Sequence, residues 1–259
     1  MPTYYGDVDA EYLQRVAQLV QQPKRRTYEL MHIQPGSKVV DVGCGPGTDT
    51  IALAHLVGPT GKVVGIDFNA TFLAQADERA DQAGVRTWVT HQHADATNLP
   101  FEANTFDARR SERLLQHLPH PEQALAEMVR ITRPGGWLVI ADADWGTLSI
   151  DTSEIAIERR LVRLEADMHT NGYAGRQLYR LLKRQHLTDI VIEMISVYFT
   201  HYALAEQVIG PAELAQEALR QGVITEAEAQ RWSTSLAQAD AEAVFFASIM
   251  GVLIAGRKP

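Results

Sequence analysis

The sequence has one cysteine, few basic residues and no long apolar segment, and each shortage excludes a class of protein. Cys44 is the only cysteine among 259 residues, which excludes an intramolecular disulfide framework and suits a reducing compartment. Lysine and arginine number 24 against 32 acidic residues, for a net charge of −8. A nucleic-acid-binding surface needs a net basic face, so we expect no nucleic-acid partner.

The longest apolar run, residues 243–256, is too short to cross a bilayer and is interrupted by a serine and a glycine. Its content of valine, isoleucine and phenylalanine predicts a buried strand instead. The N-terminus carries Asp7, Asp9 and Glu11 where a signal peptide would need an apolar core. We therefore expect a cytoplasmic protein that does not insert into a membrane.

Short apolar segments alternate with helical patterns in the first part of the chain. The apolar segments predict five strands, at residues 38–43, 62–67, 85–93, 106–111 and 137–142. Helical patterns precede, separate and follow them, beginning with residues 9–33. Farther on, residues 189–201 and 243–257 predict two more strands, and residues 151–187 and 203–240 predict helices. This order predicts a doubly wound α/β fold with a mostly parallel seven-stranded sheet.

The fourth predicted strand departs from the rule that a central parallel strand is almost wholly apolar. It carries Arg109 and Arg110 side by side. Either the strand is shorter than residues 106–111, or one arginine points into a polar cavity at the carboxyl end of the strand.

Three glycines, Gly43, Gly45 and Gly47, lie between the first strand and the following helix. Glycines at this spacing let the backbone turn tightly and approach a ligand. The free N–H groups at the helix start favour an anionic group such as a carboxylate. Twenty residues beyond Gly47, Asp67 ends the second strand, where its carboxylate can accept both hydroxyls of a ribose. The segment therefore predicts a nucleoside-containing cofactor.

Two cofactor classes use such a loop. Dinucleotide-binding proteins prefer G-x-G-x-x-G/A, but this sequence has G-x-G-x-G followed by Thr48. With Asp41 two residues before Gly43, the segment resembles the class I S-adenosylmethionine-dependent methyltransferases. Later segments continue the resemblance: Asp95-Ala96, Leu99-Pro-Phe101, Phe106-Asp107, His117-Leu-Pro119 and Arg133-Pro-Gly-Gly136. It covers residues 35–145 and is closest to the ubiquinone/menaquinone-biosynthesis type.

The resemblance implies a Rossmann-like methyltransferase fold in a single domain over residues 1–259. The cofactor-binding core would occupy residues 35–145, with a helical addition at the N-terminus. The family normally joins its last two strands by a short hairpin, so the predicted helices between those strands are a second addition that departs from it. The second addition, residues 203–240, would cover the substrate or equally form a homodimer contact. Tyr4, Tyr5 and Tyr12 would fold over the cofactor or serve as packing groups.

The resemblance also implies the site. S-adenosylmethionine would contact Asp41, Gly43, Cys44, Gly45, Gly47, Asp67, Phe68, Asp95, Ala96, Ser111 and Glu112. His117 is the candidate general base for a small-molecule acceptor, although it could equally hydrogen-bond a backbone carbonyl and orient its loop. Asp142 and Trp145, which follow the fifth strand, and His201, at the entrance to the helical insertion, are candidate substrate-binding residues.

A metal site is the alternative for one group of residues. His91, His93 and Asp95 alternate along a predicted strand and would share one face, and imidazole and carboxylate are suitable ligands. The competing interpretation is an exposed strand end followed by a cofactor-binding acid. No further histidine, cysteine or glutamate spacing completes a site, so we expect no metal.

Two other function classes remain open at this point. A nicotinamide-dependent oxidoreductase would use a similar loop but is disfavoured by Thr48 and by the glycine spacing. A non-catalytic S-adenosylmethionine-binding module would keep the loop and Asp67 without transferring a methyl group. The preferred interpretation is methyl transfer to an oxygen, nitrogen or carbon nucleophile of a small acceptor.

Overall fold

The computed structural model describes residues 21–259, with side chains from residue 23 onward. The first part of the predicted helix over residues 9–33, together with Tyr4, Tyr5 and Tyr12, lies outside the described residues. The described part of that helix forms α1, Gln21–Glu29.

Seven strands form one sheet within residues 21–259, in the order β3-β2-β1-β4-β5-β7-β6. The strands are β1 (Lys38–Val42), β2 (Lys62–Asp67), β3 (Val89–His93), β4 (Phe106–Glu112), β5 (Thr132–Ile150), β6 (Thr188–Phe199) and β7 (Ala247–Arg257). The pairs β1–β2, β2–β3, β1–β4 and β4–β5 are all parallel. The predicted doubly wound, mostly parallel sheet is confirmed.

The remaining helices follow the predicted alternation. They are α2 (Thr48–Val57), α3 (Ala70–Gln82), α4 (Pro121–Ile131), α5 (Ile155–Met168), α6 (Ala174–Arg184), α7 (Tyr202–Ile209), α8 (Pro211–Arg220) and α9 (Glu226–Ala241). Local sequence explains several of their ends. The Asn69 side chain accepts hydrogen bonds from the N–H groups of Thr71 and Phe72 at the start of α3. Thr225 and Glu228 form a capping box at the start of α9.

Strand β5 begins earlier than the sequence predicted. Thr132 lies opposite Phe106 and Trp137 opposite Ala108, so one residue of β4 faces four residues of β5. Those four residues are Arg133-Pro-Gly-Gly136, which lie ahead of the strand that the sequence predicted at residues 137–142. Proline cannot donate to a sheet ladder, and the segment is accommodated as an irregularity within the strand.

Two compact units divide the described chain. The sheet unit comprises Gln21–Asp142, Gly175–Glu193 and Val252–Pro259, and the helical unit comprises Ala143–Ala174 and Met194–Gly251. The helical unit has its own core, in which Leu214, Trp232 and Leu236 are buried with side chains of α5. Several apolar side chains of the predicted insertion are therefore buried within this unit, whereas Leu219 is exposed. No helix in residues 21–259 is long and apolar enough to cross a membrane.

The two adjacent arginines of β4 have opposite environments, although both are buried. Arg110 contacts three carboxylates, those of Asp41, Asp49 and Glu112. Within the described part of the chain, no nitrogen of the Arg109 guanidinium has a hydrogen-bond partner, and burial lowers the pKa of Arg109 well below its usual value. Strand β4 is therefore not shorter than residues 106–111. Arg110 points into a polar site, as the sequence allowed, whereas the buried Arg109 guanidinium has no partner in the part of the chain that the structure describes.

We predict opposite effects from replacing these neighbours by methionine, which keeps most of the volume. Arg109→Met should raise the free energy of unfolding by about 1–4 kcal/mol, because it removes an uncompensated buried cation. Arg110→Met should lower it by roughly 3–5 kcal/mol, because it leaves buried carboxylates without their partner. Urea unfolding of both variants measures the difference. A loss of stability in Arg109→Met would show that Arg109 has a favourable partner.

Candidate functional site

The glycine loop adopts backbone conformations that other residues rarely take. Gly43, Gly45 and Gly47 have φ values of 79°, 52° and 79°. At Gly47, which caps α2, an added Cβ would also lie 2.7 Å from the Cβ of Ala76 in α3. A side chain at this position is therefore excluded both by conformation and by the packing of α3 against the loop.

Asp67 lies directly beside this loop. Its Oδ2 accepts a hydrogen bond of 2.8 Å from the N–H of Gly45, and its Oδ1 accepts one of 2.8 Å from the N–H of Asn69. Residues 43 and 44 in turn donate their N–H groups to the carbonyl of Ile66. The carboxyl end of β2 and the loop after β1 are thus held together at one edge of the sheet, where ligands bind in open α/β sheets.

A buried ion cluster lies under the loop. Asp41 of β1 pairs in register with Arg110 of β4, and the Arg110 Nη1 is 3.5 Å from an Asp41 oxygen and 2.8 Å from Asp49 Oδ2. The other terminal nitrogen of Arg110 donates to Glu112. One guanidinium therefore connects the carboxyl ends of two strands with the first turn of α2.

Helix α1 completes this cluster. The Lys24 ammonium lies 2.6 Å from Asp49 and 3.2 Å from Glu112, and the Tyr28 hydroxyl donates to Asp49. Sequence reasoning missed Lys24, Tyr28 and Asp49 as members of the site. The sequence signal for this cluster was the pair Arg109 and Arg110 in an otherwise apolar strand. No pattern in the sequence indicated which residues would contact Arg110.

The two aspartates of the cluster are shifted in opposite directions. Burial raises the pKa of Asp41 from 3.8 to about 7, against the attraction of Arg110. Burial also acts on Asp49, but Arg110 and Lys24 outweigh it and hold the pKa of Asp49 below its usual value. The difference follows from geometry, because Asp49 has three close donors whereas Asp41 has one distant one.

The chain after β4 carries the next predicted residues. Ser111 is buried, and its hydroxyl has no hydrogen-bond partner within residues 21–259. His117 ends a 3₁₀ turn, Leu115–His117, whose first N–H donates to Asp142 Oδ2 at 2.8 Å. Asp142 is therefore placed to hold the turn that carries His117. The Nε2 atoms of Gln116 and His117 are 3.1 Å apart.

The predicted adenine-side residues form a more exposed group. The Phe68 ring is 74% exposed, and its centroid lies 5.2 Å from that of His93. Asp95 is exposed and accepts hydrogen bonds from the N–H and hydroxyl of Thr97, which lower the pKa of Asp95. Cys44 is buried, and burial raises the pKa of its thiol. Ala96, which follows Asp95, is half-buried.

The remaining predicted residues belong to the helical unit. Trp145 is buried and stacks on His169, with ring centroids 4.3 Å apart. The His169 Nε2 is 3.3 Å from Glu165 Oε1, and both side chains are almost fully buried. His201 is the N-cap residue of α7 and is exposed. Trp145 thus lies in a buried aromatic and acidic cluster that the sequence did not indicate.

The alternative of a metal site does not fit His91. Its two ring nitrogens lie 2.7 Å from Asp77 Oδ1 and 2.9 Å from the Thr50 hydroxyl. His93 lies beside Phe68 instead. In the part of the chain that the structure describes, no three histidine, cysteine, aspartate or glutamate side chains converge as metal ligands.

We predict that the buried aspartates give opposite pH dependences of stability. The raised pKa of Asp41 means that its stabilising contribution is present below about pH 4 and is lost as the pH rises toward 7. Asp41→Asn should therefore raise the free energy of unfolding at pH 8 by roughly 2–4 kcal/mol and have little effect at pH 4.

Asp49→Asn is the matched comparison. Because the pKa of Asp49 is lowered, its contribution is present above about pH 4 and is lost on acidification, so this variant should be less stable than the parent at pH 8. Urea unfolding from about pH 2 to pH 8 measures both variants, so that the range includes the acid side on which the Asp49 contribution is lost. Equal pH profiles for the two would contradict the assignment.

Comparison with known proteins identifies the family of the chain. A family model described as a methyltransferase domain matches residues 33–195, more than half of the chain. The uncharacterized 37.1 kDa protein in transposon TN4556 of Streptomyces fradiae is 35% identical over 233 residues, which cover 89% of this chain and 66% of that protein.

The demethylmenaquinone methyltransferase of Bacillus cytotoxicus is 38% identical over 125 residues, 48% of this chain and 52% of that enzyme. The chain thus spans between half and two thirds of the length of these curated relatives. Among solved structures, the YcgJ protein of Bacillus subtilis shares the fold, with a TM-score of 0.66 at 16% identity over 92% of this chain and 98% of that one. The glycine loop, the acid that ends β2 and the family match agree: the chain belongs to the methyltransferase domain family.

Proposed function

We propose that the protein transfers the methyl group of S-adenosylmethionine to an oxygen, nitrogen or carbon nucleophile of a small-molecule acceptor. The observation that carries the proposal is the hydrogen bond that joins the left-handed glycine loop, through Gly45, to the Asp67 carboxylate at the carboxyl edge of the sheet. When bound, the cofactor supplies a sulfonium methyl group that is already a reactive electrophile. The protein then has to bind the cofactor, orient the acceptor toward the methyl group and shield both from water.

The adenosine half of the cofactor fits the residues beside the loop. Each oxygen of Asp67 accepts one backbone N–H and retains a lone pair for a ribose hydroxyl. The exposed ring of Phe68 offers an apolar face for the adenine. Asp95 and Ala96 follow β3 and would meet the edge of the base.

The methionine half fits the charged end of the site. The loop residues and Ser111, whose buried hydroxyl has no partner in the described residues, would contact it. Beneath the loop, Lys24 and Arg110 face three carboxylates, those of Asp41, Asp49 and Glu112. Carboxylates at this end of the site would attract the ammonium group of the methionine moiety. The thiol of Cys44 is buried, so this residue would contact the cofactor through its backbone in the glycine loop.

The protein would contribute to the reaction in two ways: it would align the reacting groups, and it would offer one candidate base. Holding the nucleophile, methyl carbon and sulfur in line provides roughly 7–11 kcal/mol. His117 would accept the proton of an acceptor that must lose one. Asp142 supports this role by accepting the first N–H of the 3₁₀ turn that carries His117. We propose that Asp142 also binds the acceptor.

The acceptor would be selected by the helical unit. Its buried cluster of Trp145, His169 and Glu165 combines an aromatic face with polar atoms, a combination that suits recognition of a small molecule. His201 and the insertion over residues 203–240 belong to the same unit. We propose that both units form the single domain expected from the sequence, with homodimerisation as the competing role of the insertion.

The partners and location follow the same proposal. The limited likeness to demethylmenaquinone methyltransferases supports a small organic acceptor rather than a macromolecule. The net charge of −8 disfavours a nucleic-acid partner. A single buried cysteine supports a cytoplasmic location.

We predict that Asp67→Ala raises the Kd for S-adenosylmethionine at least about tenfold, because up to two charge-assisted hydrogen bonds of roughly 1.5–3 kcal/mol each are lost. Calorimetry with S-adenosylmethionine and with NAD measures the affinity and the choice of cofactor. Glu102→Ala, an exposed acid of the same unit, is the control and should bind normally. Unchanged affinity in Asp67→Ala would remove this residue from the site, and preferential NAD binding would refute the proposed function.

The transfer step is tested by an acceptor screen read by mass spectrometry for the gain of one methyl group. Small phenols, amines and quinols represent oxygen, nitrogen and carbon nucleophiles. Tight cofactor binding without transfer to any of them would favour a non-catalytic binding module.

We predict that His117→Gln lowers kcat for an acceptor that loses a proton by on the order of 10²–10⁴-fold, with an unchanged Kd for S-adenosylmethionine. The matched control is His120→Gln, because His120 is an exposed histidine three residues away. Steady-state kinetics as a function of pH measures both. An unchanged kcat in His117→Gln would show that His117 is not the base and would leave it only the role of orienting its loop.

A further inference from the structure

Behind the glycine loop, three side chains from three elements form a continuous polar chain. Asp77 of α3 contacts one ring nitrogen of His91 of β3 at 2.7 Å, and the other ring nitrogen lies 2.9 Å from the Thr50 hydroxyl of α2. The Thr50 hydroxyl also lies 2.9 Å from the carbonyl oxygen of Gly47. The chain of contacts therefore ends on the loop glycine that caps α2.

This arrangement resembles an acid–base–nucleophile triad, but it has no access to a substrate. Thr50 is 0% exposed, and so is the His91 side chain. Gly65 of β2 makes room for the ring, since a Cβ there would lie 2.6 Å from His91 Cδ2. The three residues can therefore act on the loop and cannot attack a ligand.

The protonation state of His91 decides which group accepts the proton of the Thr50 hydroxyl. The Asp77 carboxylate only accepts, so His91 Nδ1 must donate to it. If His91 is neutral, its Nε2 has no proton and accepts the Thr50 O–H, which then cannot bond to Gly47. If His91 is protonated, Nε2–H donates to Thr50, and the hydroxyl is free to donate to the Gly47 carbonyl. One proton on His91 thus moves one hydrogen bond onto or off the loop.

The charged groups around His91 favour neither state completely. Asp77 stabilises the imidazolium, whereas Arg86, 2.9 Å from Asp77 and itself 3.9 Å from Asp81, opposes it. The Cys44 thiol also packs beside Gly65, the glycine of β2 that makes room for the His91 ring. Burial is the largest influence and lowers the pKa of His91 below 6.5. The neutral form therefore predominates at neutral pH, and acidification converts it.

We propose that Asp77, His91 and Thr50 form a proton-sensitive relay that positions Gly47 for cofactor binding, with His91 as a positioning residue. The inference rests on the proposed function, because the ligand of the loop is S-adenosylmethionine. The bound cofactor has a net positive charge, because its sulfonium and ammonium groups outnumber its one carboxylate, so it favours the uncharged form of His91. By linkage, cofactor affinity falls as His91 is protonated.

The test combines cofactor affinity with a signal that needs no cofactor. Calorimetry from pH 5.5 to 7.5 should show the Kd for S-adenosylmethionine rising at least about fivefold more on acidification in the parent than in Thr50→Val. Thr50→Val keeps the shape and removes the hydroxyl, and Thr50→Ser restores it and should restore the pH dependence. His55→Gln, an exposed histidine on the same helix, should match the parent. Titration of Asp41 is common to all four proteins and cancels in the comparison.

NMR of the cofactor-free parent supplies the second readout. The carbonyl ¹³C shift of Gly47 should titrate with the His91 ring in the parent and in Thr50→Ser, and stay flat in Thr50→Val. A Gly47 signal that ignores the His91 titration in the parent overturns the relay, even if Thr50→Val does not fold. A Gly47 signal that titrates in a protein that binds no S-adenosylmethionine would instead refute the proposed function and leave the relay standing. Equal pH dependence of affinity in the parent and Thr50→Val overturns the coupling to the cofactor.

Discussion

The Arg110 guanidinium is buried at the centre of the sheet, and the geometry of the glycine loop at the carboxyl edge of the sheet depends on it. Removing a guanidinium from water costs several kcal/mol, which only close and well-oriented carboxylates offset. Asp41, Asp49 and Glu112 supply that compensation from β1, α2 and the end of β4. Because each of these carboxylates must reach the same group, the two strands and the first turn of α2 are fixed relative to one another. The glycine loop connects β1 to α2 and inherits this constraint.

Several layers of interaction then act on the same short loop. Beneath it, α1 contributes Lys24 and Tyr28 to the ion cluster. In front, Asp67 accepts the N–H of Gly45. From α3, Arg79 donates to the carbonyl of Pro46. A backbone that lacks side chains for packing is thus held by charged and polar groups from outside it, which is how a loop can be both open to a ligand and preorganised.

Much of the fold could be predicted because its determinants are local. Short apolar segments marked the strands, and helical patterns marked most of the helices between them. The spacing from Gly47 to Asp67 placed both at one edge, since the carboxyl ends of parallel strands meet there. The start of β5 was missed because a strand that absorbs Arg133-Pro-Gly-Gly136 as an irregularity has no local signature. The partition into two compact units was also missed, since it depends on which distant segments share a core.

By itself, the sequence determined the order of elements, the glycine loop with its acid, and the family, because each is written in residues close together along the chain. Tertiary structure decided the meaning of the charged and polar side chains between them. Adjacent arginines of one strand point to opposite faces, so only the fold could give Arg110 three carboxylates and leave Arg109 without one among residues 21–259. Likewise His91 follows the alternation of an exposed strand end, yet its ring is buried between Asp77 and Thr50. Partners from separate elements are set by packing, and no local pattern of residues encodes them.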